Sequence, residues 1–265
     1  MPEGHTLHRL ADQHRRRFAG GPVRVSSPQG RFIEGAALVD GRKLEDSTAH
    51  GKHLLHHYDN GLTVHVHLGL YGAFYDAPLP MNAPIGAVRM RLTGREHGTD
   101  LRGPAACEVL LPPQVDALLA RLGPDPLRAE ADPERAWQRI SRSRRPIGAL
   151  LMDQKVLAGV GNVYRAEVLF RHGISPYRPG IEMNAEEWKA IWADLVELMP
   201  VGVQTGRMHV VRPEHDHGEP SYAPDRPRTY VYRRPGSGCR VCGSPVAHAV
   251  LDGRNLFWCP GCQPG

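Results

Sequence analysis

The chain opens Met1-Pro2-Glu3-Gly4. Initiator methionine is commonly removed ahead of a small residue, so the mature chain is expected to begin at Pro2, a secondary amine with a carboxylate beside it. A terminal amine has a reference pKa of about 7.7–8.0, so an appreciable fraction is neutral and nucleophilic near neutral pH. Glu3 could pass protons for it. The same residues also read as a helix start, because proline in a first helical turn loses no hydrogen bond. Leu7, Leu10, Ala11, His14 and Phe18 recur at helical spacing until Gly20-Gly21 ends the run. Taken alone, these residues leave both readings open.

The other end of the chain carries metal chemistry. Cys239-x2-Cys242 and Cys259-x2-Cys262 are separated by sixteen residues. Paired thiolates at this spacing predict one tetrahedral zinc held on two hairpin knuckles. With four thiolates no coordination position stays open, so the zinc is structural. So short a tail needs the metal to fold. Arg254 lies between the knuckles and could be a plain surface charge. Cys107, in Ala-Cys-Glu-Val-Leu-Leu, reads as a buried inert thiol.

Three further features have a bland and a chemical reading. Ala158-Gly159-Val160-Gly161-Asn162 joins two apolar-faced helical patterns. Its glycines let main-chain N–H groups approach a ligand, and Asn162 is predicted to cap the second helix, whose positive end suits a phosphate. An ordinary helix–turn–helix hairpin is the alternative. Lys52 falls early in a predicted strand and is unremarkable until something positions it. His65 and His67 share one strand face, without a carboxylate or cysteine at ligand spacing, which favours stacking or hydrogen bonding over a metal.

The elements that must position these residues fall into blocks. Residues 22–111 read mostly as strands, with Asp59-Asn60-Gly61 marking a hairpin. Short strands without intervening helices predict a sandwich or barrel. Residues 121–134 read as a hinge. Helical patterns follow, the last opening with Asn184 and Glu187 as a capping box. Residues 205–228 form a long loop rich in His, Pro and charge.

The totals fit this plan. At 265 residues the chain is long enough for two domains and an appendix. A net charge of +5 favours an anionic partner. No apolar run has the length of a membrane span or the place of a secretory signal, so a soluble, cytoplasmic protein with reduced cysteines is expected.

Read together, Pro-Glu-Gly at the start, Gly-Lys-His-Leu-Leu, His-Leu-Gly-Leu-Tyr-Gly, Arg-Leu-Gly-Pro-Asp-Pro-Leu, the block 151–170 and Gly-Arg-Asn-Leu-Phe-Trp-Cys-Pro-Gly-Cys-Gln resemble, in order, the formamidopyrimidine-DNA glycosylase / endonuclease VIII family of base-excision repair enzymes. Pro-Glu-Gly and Leu-Tyr-Gly resemble its endonuclease VIII branch, His-Leu-Gly the formamidopyrimidine branch, and the opening ten residues from Pro2 to Ala11 the actinobacterial endonuclease VIII-like subgroup. The resemblance spans essentially the whole chain. It implies an α+β multidomain fold: an N-terminal β-sandwich with flanking helices (1–120), a hinge (121–134), a helix-two-turn-helix domain with its loop (135–228) and a four-cysteine zinc finger (229–265).

By that resemblance Pro2 is the nucleophile, Glu3 its acid/base partner, and Lys52 and Arg254 serve β- and δ-elimination. Arg121 and Asn162 hold the backbone of damaged DNA, while Leu70 and Tyr71 fill the hole left by the extruded base. The implied protein is a monomeric bifunctional glycosylase and abasic-site lyase acting on oxidised bases, chiefly pyrimidines. A purine-directed enzyme, or a zinc-finger protein that binds damage without cutting, are the alternatives. The sequence departs from the family in three places. Thr6 stands where endonuclease VIII has a second carboxylate, Gly69 replaces a void-filling Gln, and Asp-Leu-Arg-Gly-Pro-Ala keeps Arg102 but no Phe.

Overall fold

A computed structural model describes residues 2–218, 220–224 and 226–265. It divides into two compact units, residues 1–121 and 122–265.

The first unit is a sandwich of two four-stranded antiparallel sheets. Helix α1 (Gly4–Phe18), strand β1 (Arg24–Ser26) and helix α2 (Ile33–Val39) come first. Then follow β2 (Leu44–His50), β3 (His53–Tyr58), β4 (Thr63–His67), β5 (Ala73–Pro78), β6 (Val88–Thr93), β7 (His97–Arg102) and β8 (Ala106–Leu110), with α3 (Pro112–Ala120) last. One sheet has the order β1-β6-β7-β5 and the other β2-β3-β4-β8. Val25, Met90, Leu92 and Leu101 of the first meet Leu44, Leu54, Val64 and Val66 of the second in one core, closed at the side by Leu7, Ala11 and Phe18 of α1. Each such side chain contributes roughly 1.5–3 kcal/mol by leaving water. The sequence reading missed α2, because Ile33–Val39 is apolar and short enough to pass for a strand, and only Ala36 and Val39 are buried.

The second unit is helical with a small ribbon at its end. It holds α4 (Pro133–Ile140), α5 (Ile147–Leu150), α6 (Asn162–Arg171), α7 (Ala185–Thr205) and the hairpin β9 (Ala247–Leu251) with β10 (Arg254–Trp258). Asn184 Oδ1 accepts the Glu187 N–H at 2.9 Å, and Glu187 Oε2 accepts the Asn184 N–H at 2.9 Å, the expected capping box. The helix runs on to Thr205 through Pro200. Pro200 forfeits one main-chain hydrogen bond, but the buried Leu198, Met199 and Gly202 hold the axis in place.

Residues 147–157, the first of the two helical patterns that flank the glycine turn, form a single turn followed by loops. Asp153 stops it: its Oδ1 accepts the Lys155 N–H at 3.1 Å, a local bond that competes with the helix. The Gln154 side chain then satisfies the loop, donating to the Met152 and Val160 carbonyls at 3.0 Å each and accepting from Gly159 N–H at 3.0 Å. Among the described residues no helix is long and apolar enough to cross a membrane.

Candidate active site

Glu3 is the N-cap of α1, with extended backbone, and Gly4 is the first helical residue. Pro2 therefore lies outside the helix, ahead of its cap. The first helical position, where proline is most favoured, is held instead by Gly4. Glu3 is fully buried, and a carboxylate there benefits from the positive end of the helix. Thr6 Oγ1 accepts the Glu3 N–H at 3.4 Å. The Thr6 hydroxyl thus takes part in capping. Met1 lies outside the described residues.

The strand register carries Lys52 to the same end. The Gly20 N–H donates to Leu44 O at 2.8 Å, which sets the start of β2 beside the end of α1. A fifteen-residue helix and a seven-residue strand have nearly equal lengths, roughly 22 and 23 Å. The turn after β2 therefore returns to the start of α1. Lys52 lies in that turn, Gly51-Lys52, and not in the strand expected of it. Gly51 has φ +56°, so the hairpin closes where a side chain is disfavoured.

The same end gathers the intercalation candidates. His53 pairs with His67 across β3 and β4, so the loop after β4 lies beside the Lys52 turn. In that loop the Gly72 N–H donates to Leu68 O at 2.9 Å and the Gly69 N–H to His67 Nδ1 at 3.2 Å. A Cβ on Gly72 would fall 2.3 Å from Leu68 O. This tight turn presents Leu70 and Tyr71 to solvent at 52% and 88% exposure. Arg121 is the C-cap residue of α3, and its positive charge bears on His53. Pro2, Glu3, Lys52, Leu70, Tyr71 and Arg121 thus share one end of the first unit. Arg102, the residue kept from the family's later loop, ends β7, with its guanidinium 5.0 Å from the Tyr75 ring centroid.

His65 and His67 bear out stacking and hydrogen bonding. His65 stacks on His53 at 5.0 Å between centroids, with Nε2 2.8 Å from His53 Nδ1 and Nδ1 3.0 Å from Glu108 Oε1. Burial, with His65 and His67 adding to it, pushes the His53 pKa down to about 3, so the ring is neutral. Cys107 is half-buried, and burial pushes its thiol up to about 12, which leaves it inert at neutral pH.

The second unit brings Asn162 and Arg254 into one frame. Gly161, not Asn162, is the N-cap of α6, and Asn162 is the first residue inside the helix. The expected cap has moved by one because Gly161 adopts the extended conformation a cap requires. Arg165, one turn along, is fully buried and binds three oxygens: Asn162 Oδ1, Gly148 O at 3.3 Å and Asn255 O at 2.6 Å. Arg254 itself is the exposed first residue of β10, beside a concavity of about 160 Å³ that Arg145, Asp153, Arg165 and Asp252 also line.

The four cysteine Sγ atoms lie within 4.8 Å of one another. Cys239 and Cys262 are 3.8 Å apart and Cys242 and Cys259 3.4 Å. A tetrahedron with Zn–S arms of ~2.3 Å has edges of about 3.8 Å. The donor set therefore fits one structural zinc. Around it the Cys239 N–H donates to Ser244 O at 2.8 Å, while Gln263 accepts the Cys259 N–H at 2.9 Å and donates to Ile174 O at 2.8 Å, tying the knuckle to the helices.

Two framework residues were not legible as such in the sequence. Arg165 sits at a position where a helix surface charge is the ordinary reading. Glu167 is buried in α6, and its carboxylate accepts the N–H groups of Tyr230, Val231 and Tyr232 at 2.7, 3.0 and 2.8 Å. Burial pushes its pKa up, against those three donors. Two ionisable residues only two positions apart in a mostly apolar helix would have been the only signal. The loop 205–228 lines a concavity of about 650 Å³ with His209, Tyr222 and Arg228 among its walls; Glu219 and Asp225 of this loop lie outside the described residues.

Three family models match successive stretches of the chain. The formamidopyrimidine-DNA glycosylase N-terminal domain matches residues 1–106, the H2TH domain of the same enzymes residues 122–212, and the zinc finger found in FPG and IleRS residues 236–265. The chain is 62% identical over 267 residues to Endonuclease 8 1 of Mycobacterium tuberculosis, covering 99% of this chain and 100% of that one. It is 30% identical to Endonuclease 8 of Escherichia coli over 99% of this chain and 100% of the other. The Lactococcus lactis Fpg, solved in complex with DNA containing an abasic site, superposes with a TM-score of 0.81 at 18% identity, over 99% of this chain and 100% of that one. On sequence along its whole length, on fold and on its cysteine cluster, the chain belongs to the formamidopyrimidine-DNA glycosylase / endonuclease VIII family.

Proposed function

We propose that this chain is an endonuclease VIII-type DNA glycosylase and abasic-site lyase of base-excision repair, and that it removes oxidised bases, chiefly pyrimidines, from damaged DNA as a monomer. The 62% identity to Endonuclease 8 1 supports the class and the branch. In this reading residues 1–120 are the catalytic sandwich, 121–134 the hinge, 135–228 the DNA-binding helices with their loop, and 229–265 the zinc finger.

The observation that carries the mechanism is Pro2 ahead of its helix, next to a buried Glu3. Once Met1 is removed, the neutral Pro2 nitrogen attacks C1′ of the damaged nucleotide and the base leaves with a proton. The sugar's C1′–O4′ bond then breaks, O4′ taking up a proton, to give the ring-opened iminium ion. The iminium acidifies the C2′ hydrogens. Loss of one of these protons expels the 3′ phosphate, and a second elimination expels the 5′ phosphate. Glu3 exchanges protons at the sugar, Lys52 protonates a leaving oxygen, and Arg254 promotes the second elimination. Arg121 and Asn162 hold backbone phosphates.

The test is reductive trapping. Borohydride should convert the iminium into a stable crosslink, and peptide mapping should place the DNA on the N-terminal peptide lacking Met1. A protein that keeps Met1, or carries an N-terminal tag, should fold and retain abasic DNA without crosslinking or cutting. Undiminished crosslinking through Lys52 in that protein would refute the role of Pro2, and binding without cleavage by the untagged protein would make it a non-catalytic damage binder.

A further inference from the structure

Between Arg139 and Arg145 the chain reads Arg-Ile-Ser-Arg-Ser-Arg-Arg, four arginines in seven residues with no acidic residue among them. Arg139 is in the last turn of α4, and Arg142, Arg144 and Arg145 follow in the loop to α5; all four are exposed. Their partners differ. Arg145 is neutralised by Asp153 at 2.9 Å and Asp252 at 3.3 Å. Arg139, Arg142 and Arg144 make no ion pair or side-chain hydrogen bond among the described residues. Among the described residues no ion pair offsets these three like charges.

The loop that carries them is held firmly. The Ser143 N–H donates to Ile140 O at 2.9 Å, Ser143 Oγ accepts the Arg145 N–H at 3.2 Å, and the Gly180 and Ile181 N–H groups donate to Arg145 O and Ser143 O at 3.0 and 2.8 Å. The clasp is close enough that a Cβ on Gly180 would lie 2.4 Å from Ile140 O. A charged surface whose backbone is already ordered binds with little further loss of freedom. It also continues into the site: Arg145 bridges to Asp252, the hairpin-turn residue two before Arg254.

We propose that Arg139, Arg142 and Arg144 form an auxiliary phosphate-binding surface that grips the duplex backbone beyond the lesion. The inference rests on the DNA-repair reading above and extends it to a flank that none of Pro2, Lys52, Asn162 or Arg254 serves. Guanidinium groups pair with phosphate oxygens in a fork and read no base. The surface therefore adds affinity and salt dependence but no lesion preference.

The experiment uses the full-length zinc-loaded protein and the triple variant Arg139→Gln/Arg142→Gln/Arg144→Gln. Both are titrated, across a range of salt, with duplexes carrying a central tetrahydrofuran abasic-site analogue, one of about 30 base pairs and one of about 10, a single helical turn. Each phosphate contact contributes about 0.9 to the slope of log affinity against log salt. On the longer duplex the variant should lose about 2–3 units of slope, and about tenfold or more in affinity near 0.1 M salt. On the short duplex the two proteins should agree, as should their cleavage rates at saturation and their zinc content. Replacing the three by lysine should restore most of the slope. Equal slopes on the longer duplex would overturn the proposal, and so would an equal loss on both, which would move the arginines to the lesion itself. Failure of the wild type to show salt-dependent binding to either duplex would instead refute the DNA reading on which the proposal rests.

Discussion

The guanidinium of Arg165 donates to the side-chain oxygen of Asn162 and, at 2.6 Å, to the main-chain oxygen of Asn255. One buried side chain thereby sets the start of α6 and the start of β10 relative to each other. The Gly148 carbonyl accepts from the same guanidinium at 3.3 Å, so one side chain serves three oxygens of the second unit.

Arg165→Met should therefore destabilise the second unit. Each buried acceptor left unpaired costs about 1–3 kcal/mol, so a loss of roughly 2–4 kcal/mol is expected in denaturant titration followed by tryptophan fluorescence. Lysine should rescue little, because a point charge cannot fork to several oxygens. Asn162→Ala should cost less stability yet weaken binding to both damaged and abasic DNA, as a backbone contact would. A change confined to lesion preference would argue against that contact.

Acid should unfold the first unit early. His14 and His56 are buried in its core, 2.9 Å apart between Nδ1 and Nε2. Burial, aided by the charge of Arg17, pushes His14 from 6.5 down to about 3, and burial with His14 nearby pushes His56 well below 6.5. In the unfolded chain both rings take a proton near pH 6.5. The unfolded state therefore binds more protons below that pH, and stability falls as pH drops, by about 1.4 kcal/mol per unit for each ring. All four tryptophans lie in the second unit, so hydrogen exchange of α1 and β3 peptides is the reporter. Protection there should fall steeply between about pH 6.5 and 5. Unchanged protection would mean that the rings accept protons in place.

That pair also shows where the sequence stops being legible. Leu7, Ala11, His14 and Phe18 mark one helix face, but nothing along the chain says that His14 will meet His56, 42 residues away. The four cysteines, the Asn184 cap and the Asp59-Asn60-Gly61 turn were readable because their physics is local: a ligand spacing, a cap, a left-handed glycine at φ +77°. Lys52 slipped from strand to turn, and Asn162 from cap to helix, because boundaries depend on which backbone groups find partners across the fold. The gathering of Pro2, Lys52 and Tyr71 at one end follows from strand register alone. No propensity encodes it.

Zinc should be separable from the chemistry beside it. Cys239→Ser should lose the metal, expose the knuckle that Gln263 ties to Ile174 O, and abolish DNA binding while the α1 and β3 peptides keep their protection. A metal-free preparation that binds and cuts normally would overturn this. Arg254→Ala should keep one zinc per chain and lower the proportion of δ- to β-elimination product on abasic DNA. An unchanged proportion would return Arg254 to the role of a surface charge.

Leu70 and Tyr71 offer the sharpest test of base extrusion. Both are large, largely apolar and solvent-exposed, an arrangement that serves no purpose in the core of the free protein. Their loop is fixed by glycine: Gly69 has φ +66°, and a side chain at Gly72 would strike Leu68 O. Truncating either exposed side chain should leave stability within about 0.5 kcal/mol, as surface changes away from such backbone features do. The effect should appear instead where a base must leave the stack, a step that costs a few kcal/mol in an intact duplex. Leu70→Ala and Tyr71→Ala should slow release of an oxidised pyrimidine by about tenfold or more if each supplies upward of 1.4 kcal/mol to that step. Strand cleavage at a ready-made abasic site should change far less, since no base remains to be extruded. Adding a side chain by Gly69→Gln would be a poor rescue, because the backbone there is left-handed. A lesion opposite a mismatch, where unstacking is cheaper, should recover part of the lost rate. Equal losses on lesion and abasic substrates would show that these two side chains hold the DNA and do not replace the base.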